Sequence, residues 1–272
     1  MISISRLTEL ELLSFFLLLV RMGVLLSLVP FFGDKVVPVP VKILFALATS
    51  FVLFPALEAR GIIQPEKALV WSSSPGLMAG AVIAEVMIGV VLGYASKLSF
   101  DALSFGSNLV GNFMGFASAS TYDHHQESNT HLVGELQMAL AMLLFLSLDG
   151  HHLLFRICID SFTHIALARS EGLTAGSLSQ KLIELTSHTI LFAVQFSAPV
   201  ALASFAVNVA FGMMARALPQ LNVLSLSLSV SAMVGLVVLW AGIGESSTLT
   251  AELFEKSFEW LNQVVLILGR ES

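Results

Sequence analysis

Charged residues are scarce in this chain. Only 12% of its 272 residues are Asp, Glu, Lys or Arg, whereas soluble domains carry about a quarter. Hydrophobic residues make up 56% of the chain, and the mean hydropathy is +0.87. This balance excludes an ordinary soluble domain and predicts an integral membrane protein in contact with lipid. The net charge is −6 and no run of basic residues is present, so we expect no nucleic-acid partner.

Cysteine and signal-peptide features are equally sparse. The lone cysteine, Cys158, excludes an intramolecular disulfide framework and a cysteine-based metal cluster. Near the N-terminus, Glu9 and Glu11 stand where a signal peptide would carry positive charge. We therefore expect this segment to be retained, with the first apolar span acting as its own insertion signal.

Catalytic motifs are also missing. The sequence has no Gly-rich phosphate loop and no GxSxG element, so we predict neither an enzyme nor a bound cofactor. His131 and Glu135 are one helical turn apart in a polar segment, which leaves a metal site as an alternative. A solvated loop fits this segment better because no HExxH or Cys-His pattern accompanies the pair. The sequence therefore predicts no metal site.

Apolar runs divide the chain into helical pieces of unusual length. Some are too short for the roughly 20 residues of a spanning helix, and others are too long. The amphipathic last piece is expected to lie along a membrane surface or to dock on a neighbour. The pattern predicts an all-α membrane protein of helical hairpins, with short, kinked and over-long apolar helices packed into a multi-subunit assembly. Its predicted pieces, within a single domain over 1–272, are a helical pair (10–57), a Gly-rich helix and the segment after it (77–119), a short hairpin (136–167), a long hairpin (186–244) and the amphipathic tail (248–268).

Small residues recur every four positions in the Gly-rich part. A spacing of four places residues on one helix face, and small residues there allow another backbone to approach closely. We expect residues 101–123 to form a re-entrant or broken segment, because irregular backbone is tolerated at membrane depth only inside protein. A plain pair of closely packed helices is the alternative. The predicted packing positions are Gly89, Gly93, Ser107, Gly111, Gly115 and Ala119.

Two charged residues lie inside apolar runs. Arg21 is near the middle of the first run, and Glu85 lies within the Gly-rich helix. An arginine at mid-bilayer costs about 2.5–3.5 kcal/mol on insertion scales. This cost predicts that Arg21 faces protein and pairs with a carboxylate such as Glu85. A snorkelling arginine on a shifted helix is the alternative.

The residues alone leave two classes of function. One is a stand-alone secondary transporter in which Arg21 and Glu85 form a site at the membrane midplane. The other is a structural subunit whose small-residue faces pack against other proteins to build a channel. Short hairpins and an amphipathic tail fit the subunit better.

A series of short elements connects the chain to a known family. In order and spacing they resemble the FliR family of bacterial flagellar type III export proteins, whose injectisome relatives are called SctT. The Gly-His element favours the flagellar branch, whereas Asp123-His124 departs from the Asp-Pro that is common in relatives. The elements are Arg21, Pro30-Phe31-Phe32-Gly33, Pro40 with Lys42, Pro55, Glu85 with Gly89 and Gly93, Gly111 to Ala117, Leu148-Asp149-Gly150-His151-His152, Ser161-Phe162, Pro199, Asn208, Gly212 and Pro219-Gln220-Leu221-Asn222.

The resemblance implies a subunit of the export gate in the flagellar basal body of the bacterial inner membrane. Its partners would be FliP-like, FliQ-like and FlhB-like subunits, and unfolded flagellar proteins would pass through the assembly. The family is built of helical hairpins wound into a conical channel. The resemblance also assigns a pore-closing plug, whose bulky apolar side chains would seal the closed channel. The matching residues are Gly111, Asn112, Phe113, Met114, Gly115 and Phe116.

Overall fold

A computed structural model describes residues 8–29, 37–116, 132–168, 175–217 and 222–270. Every regular element in these ranges is a helix, so the predicted all-α fold class is confirmed. The helices are α1 (Glu9–Leu28), α2 (Val39–Ala59), a 3₁₀ turn (Pro65–Lys67) leading into α3 (Ala68–Trp71), α4 (Pro75–Phe113), α5 (Leu132–Ser147), α6 (Gly150–His164), α7 (Ala175–Ala217), α8 (Val223–Ala241) and α9 (Ile243–Arg270).

The first helix begins at a capping box. The Thr8 hydroxyl accepts a hydrogen bond from the Glu11 N–H at 3.4 Å, and the Glu11 carboxylate accepts one from the Thr8 N–H at 2.6 Å. These bonds satisfy two backbone donors that an α-helix leaves open at its start. Glu9 and Glu11 also place negative charge at the positive end of the helix dipole. Glu9 and Glu11 therefore stabilise the start of α1.

The Gly-rich part of the chain is more regular than the sequence predicts. α4 runs without a break for 39 residues, through residues 98–101, where the sequence suggested a boundary. Residues 101–113 therefore continue the helix, and the expectation of a separate broken segment from residue 101 is wrong for this part. Burial explains the difference, because Ala102, Leu103 and Val110 are each at most 1% exposed. Tertiary packing overrides the low helix propensity of Gly, Ser and Asn.

Four helices in the described ranges are long and apolar enough to cross a membrane, namely α1, α2, α4 and α7. Two further pairs pass the same length and composition test only when each pair is taken together. The axes of α5 and α6 are bent by 63° at the break between them, and those of α8 and α9 by 67°. The predicted short hairpin over 136–167 corresponds to α5 and α6, and its assignment as a hairpin stays a prediction. If each bent pair crosses as one span, the number of spans is six.

The chain forms two compact units. The first comprises the described residues of Met1–Leu98, His152–Leu185 and Ser257–Ser272. Its core is built from α1, α2, α4, α6 and the end of α9, and it includes Leu18, Met22 and Ile88, which are at most 1% exposed.

The second unit comprises the described residues of Ser99–His151 and Thr186–Lys256. One of its apolar clusters joins Val110 of α4 and Met114, which directly follows α4, to Val133 of α5 and Val200 of α7. Elsewhere in this unit Phe100, Phe145 and Phe254 form a triangle whose ring centroids are 5.1–5.2 Å apart. Aromatic pairs at this separation are worth roughly 0.5–1.5 kcal/mol beyond the area they bury.

The amphipathic tail has a different position from the one expected. Its apolar face is covered by the chain itself, because Phe254, Leu261 and Val265 are at most 2% exposed. Leu261, Val265 and Leu268 belong to the core of the first unit, and Phe254 belongs to the aromatic triangle of the second. In the structure the apolar face of the tail thus docks on neighbouring helices of the same chain and not on a membrane surface.

Candidate functional site

A buried ion pair joins the first helix to the Gly-rich helix. The Arg21 Nε donates to Glu85 Oε2 at 2.5 Å, and the Arg21 Nη2 donates to Glu85 Oε1 at 3.1 Å. The contact is bidentate, which is the strongest arrangement of a guanidinium and a carboxylate. Both side chains are fully buried. The structure therefore brings together the two residues that lie inside apolar runs of the sequence.

The end of α6 supplies further partners to this pair. Arg21 Nη1 donates to the Ser161 carbonyl at 3.2 Å, and both terminal nitrogens donate to the Ile165 carbonyl at 3.3 Å. The Phe162 ring lies under the guanidinium, with its centroid 4.3 Å from Cζ. Glu85 Oε1 also accepts the backbone N–H of Ala168 at 2.9 Å. These contacts connect α1, α4 and the turn after α6.

The turn after α6 has a demanding backbone. Ala168 has a φ of 62°, in the left-handed region that L-residues other than Asn and Asp rarely adopt. Its N–H is held by the Glu85 carboxylate. The last carbonyls of a helix need donors, and Arg21 supplies one to Ile165 just after α6 and a second one to Ser161, whose carbonyl also accepts the Ile165 N–H at 2.9 Å. The ion pair therefore fixes both the end of α6 and the turn that follows.

The hydrogen-bonding capacity of this cluster is largely used internally. All three guanidinium nitrogens of Arg21 donate to protein acceptors, and Glu85 accepts from both Arg21 and Ala168. Neither side chain reaches solvent. Burying two charges is expensive unless hydrogen bonds satisfy them, and here they do. The arrangement suits a clamp between three helices and leaves no surface to which a solute has access.

The small residues beside Glu85 let α1 approach α4. A methyl group added at Gly89 would lie 3.0 Å from the Arg21 carbonyl oxygen, and one added at Gly93 would lie 2.7 Å from the Leu28 Cβ. Such distances leave no room for a side chain. Ser107 is buried at 2% exposure, and Ala119 lies outside the described residues.

The residues that the resemblance assigns to the plug lie at the C-terminal end of α4 and directly after it, in the second unit. Gly111 is buried and Asn112 is exposed. Met114 is 1% exposed, whereas Phe113 is 40% exposed. Phe116 packs against the Val110–Met114 cluster of the second unit. The three bulky side chains assigned to sealing thus have different surroundings, and their sealing role stays a prediction.

Sequence reasoning misses several contributors to these sites. Ile165 and Ala168 act through backbone groups, and backbone groups leave no residue-type signal. Ser161 is among the family elements of the sequence, but its contacts with Arg21, through the carbonyl and the hydroxyl, were not predicted. Gly235 and Leu228 of α8 contact the end of α4. The available signal for them is the small-residue series Ser227, Ser231 and Gly235, whose spacing of four resembles that of α4.

Comparison with known proteins identifies the family of this chain. The family model described as bacterial export proteins, family 1, matches residues 12–257. The match includes Arg21, Glu85, the end of α4 and the first half of α9. The chain belongs to this family. The resemblance inferred from the sequence elements is thereby confirmed.

The chain is also similar to individual flagellar biosynthetic proteins named FliR. The flagellar biosynthetic protein FliR of Bacillus subtilis is 23% identical over 257 residues, which cover 94% of this chain and 96% of the relative. The FliR protein of Pectobacterium carotovorum is 26% identical over 255 residues, or 94% of each chain. That of Escherichia coli is 24% identical over 247 residues, or 91% of this chain and 90% of the relative. The similarity therefore covers nearly the full length of both partners in each comparison.

Proposed function

We propose that this protein is a structural and gating subunit of the flagellar type III protein export channel in the bacterial inner membrane. The observation that carries the proposal is the end-to-end similarity to proteins named FliR, with 94% of this chain and 96% of the Bacillus subtilis protein aligned. In this proposal the chain helps to form a conduit for unfolded flagellar proteins within the basal body. Its role is mechanical, and no catalytic step is assigned to it.

The exposed apolar surface of α7 supports a subunit over a stand-alone protein. Ile183 and Met213 are both more than 60% exposed, and the 30 residues between them correspond to about 45 Å of helix. The hydrocarbon core of a bilayer is about 30 Å thick. A tilt of about 50° would be needed to fit this length, beyond the usual range of 0–40°. Part of this surface therefore needs cover from protein, as FliP-like, FliQ-like and FlhB-like partners would supply.

The buried ion pair argues against the alternative of a secondary transporter. A midplane transport site must present unsatisfied polar groups to a cavity. Arg21 and Glu85 instead satisfy one another and the end of α6, with no exposed surface. In the proposed assembly this pair is a structural clamp.

The end of α4 supports the gating part of the proposal. Phe113 is a bulky apolar side chain with 40% exposure on the last residue of a helix. A side chain in this position is suited to closing a narrow conduit by excluding water. Met114 and Phe116 would support Phe113 by packing the segment against the rest of the second unit.

Ion conductance tests the gating role. Replacing Phe113, Met114 and Phe116 by Ala in the assembled channel should raise small-ion leak, because the apolar seal is lost. Phe113→Ala alone should give a leak with little loss of stability, since this side chain lies outside the buried cluster. Phe105→Ala is the matched control, being an equally exposed phenylalanine (47%) on the same helix. Unchanged conductance in the triple variant would remove the gating role.

Purification of the assembly tests the subunit role. Tagged protein is isolated from the membranes of a flagellated bacterium in mild detergent, and the intact complex is weighed by mass spectrometry. We expect a defined complex with FliP-like and FliQ-like subunits. A monomer or homo-oligomer that binds a small solute would instead support the transporter.

A further inference from the structure

The end of α4 has a turn that directs one side chain inward. The Met114 N–H donates to the Val110 carbonyl at 3.0 Å, and the Gly115 N–H donates to the Asn112 carbonyl at 3.0 Å. Gly115 then adopts a φ of 88°, a conformation that glycine reaches without strain. The helix therefore ends in a tight, glycine-dependent turn, and Met114 lies in the interior of the second unit.

A hollow on α8 receives the Met114 side chain. A methyl group added at Gly235 would lie 2.5 Å from the Met114 Cγ and 3.0 Å from its Sδ. The reverse arrangement is found two helical turns earlier, where a methyl group added at Gly115 would lie 2.7 Å from Leu228 Cδ2. Residues 228 and 235 are seven apart and thus share a face of α8. We call these two reciprocal contacts, Met114 with Gly235 and Leu228 with Gly115, the α4–α8 latch.

The latch places Met114 and Phe113, two neighbouring bulky residues at the end of α4, in different environments. Met114 is 1% exposed and joins a cluster with Val110 and Val200. Phe113, its neighbour in sequence, is 40% exposed. One side chain thus fixes the segment to the second unit, while the next projects from it.

The chemistry of the latch suits repeated opening. Methionine is unbranched and has three rotatable bonds, so it leaves a hollow by changing rotamers. Its contacts with Gly235 are dispersion contacts, which are individually weak and lack direction. An ion pair such as Arg21–Glu85 would instead leave uncompensated charges on opening.

We propose that the α4–α8 latch holds the segment Gly111–Phe116 in the closed position, and that export requires Met114 to leave the hollow at Gly235. The inference rests on the proposed function, since it concerns regulation of the same segment. It adds the place at which the segment is held and the helix that holds it.

A reversible cross-link tests this directly. Met114→Cys and Gly235→Cys are combined with Cys158→Ala, which removes the native thiol. Because the added Cβ lies 2.5 Å from the Met114 Cγ, the two Cβ atoms would be at most about 4 Å apart, within the range for a disulfide. The variant replaces the native copy in a flagellated strain, and flagellar protein released into the medium is measured with oxidant and after reduction.

We expect export to fall to background when the disulfide forms and to return on reduction. Each single-cysteine variant should export the same amount with oxidant as without it, because neither can form the cross-link. Failure of the disulfide to form, or undiminished export with the cross-link complete, would overturn the latch. The unsubstituted chain in the same strain distinguishes failure of the proposed function from failure of the latch. If the unsubstituted chain does not support export, the proposed function itself is wrong.

A second pair of variants avoids cysteine chemistry. Gly235→Ala fills the hollow and should displace Met114, so the assembled channel should leak small ions in the absence of substrate. Adding Met114→Ala removes the clash, and the double variant should leak no more than Met114→Ala alone. Gly212→Ala is the control, because an added methyl there meets no atom within 4 Å. Equal conductance for Gly235→Ala and Gly212→Ala would contradict the latch.

Discussion

Arg21 has no contact with solvent, and its charge is balanced entirely within the protein. Its partners are Glu85 and the carbonyl groups at the end of α6. Removing one member of a buried pair leaves a charge without compensation and costs about 3–5 kcal/mol. Removing either member of the pair is therefore strongly destabilising, whatever the intact pair contributes to the free energy of unfolding.

Substitution of Arg21 tests this at the residue scale. Arg21→Ala should lower the free energy of unfolding by about 3–5 kcal/mol, since Glu85 stays buried without its counter-ion. Lys181→Ala is the control, because Lys181 pairs with Glu184 at a partly exposed position, where such pairs are worth about 0–1 kcal/mol. Thermal unfolding in detergent measures both. Equal losses would show that the buried pair has no special weight.

The charge-swapped variant gives a sharper result. With Arg21→Glu and Glu85→Arg combined, the pair is restored, but the carboxylate at position 21 would face the carbonyls of Ser161 and Ile165. We therefore expect the double variant to be more stable than either single reversal and still less stable than the unsubstituted protein. Full recovery would mean that the end of α6 contributes nothing to the site.

The sequence is informative about these two side chains for a simple reason. A charge inside an apolar run must find a partner, so Arg21 and Glu85 are singled out by position alone. Their contacts with Ser161, Ile165 and Ala168 are inaccessible to the same reasoning, because every residue carries a carbonyl and nearly every residue an N–H. Residue types predict the ion pair and give no information about its backbone partners.

At the scale of helices, close approach of α1 and α4 depends on glycine. A methyl group at Gly93 would lie 2.7 Å from Leu28 Cβ, whereas one at Gly80 of the same helix meets nothing within 4 Å. The two positions share one helix and one residue type, and they differ only in the neighbour. This makes them a matched pair for separating packing from helix propensity.

Alanine at these two positions should have effects of opposite sign. Gly93→Ala should destabilise by about 1–3 kcal/mol through overpacking. Gly80→Ala should stabilise by about 0.5–1 kcal/mol, because alanine loses less backbone entropy in a helix. Thermal unfolding of each variant in detergent measures the difference. Stabilisation by both would indicate that α1 moves away from α4 at little cost.

The length of α4 illustrates what local composition leaves undetermined. Asn108, Asn112 and the glycines between residues 101 and 115 weaken the helical signal, so a break looks favourable from the sequence. The helix is continuous because Leu103 and Val110 bury their side chains, a long-range effect. For the tail, the sequence predicts the amphipathic helix correctly but does not predict which surface covers its apolar face. That surface belongs to the same chain.

At the scale of the molecule, a large apolar surface remains uncovered. Leu202 and Phe205 on α7, and Met233 and Trp240 on α8, are each at least two-thirds exposed. Composition predicts this surface, because 56% of the residues are hydrophobic. Composition does not predict its division between lipid and protein, which follows from helix length measured against the thickness of a bilayer.

The partners of Arg21 in the clamp between α1, α4 and α6 are synthesised well after Arg21 itself. Glu85 follows Arg21 by 64 residues, and Ile165 follows it by 144. At a synthesis rate of about 5–20 residues per second, Glu85 is synthesised roughly 3–13 s after Arg21, and the end of α6 roughly 7–29 s after Arg21. During this interval the nascent chain holds an arginine in an apolar helix without its final partners. Until those residues have been synthesised, the Arg21 charge must be satisfied by groups other than the partners that it has in the folded protein.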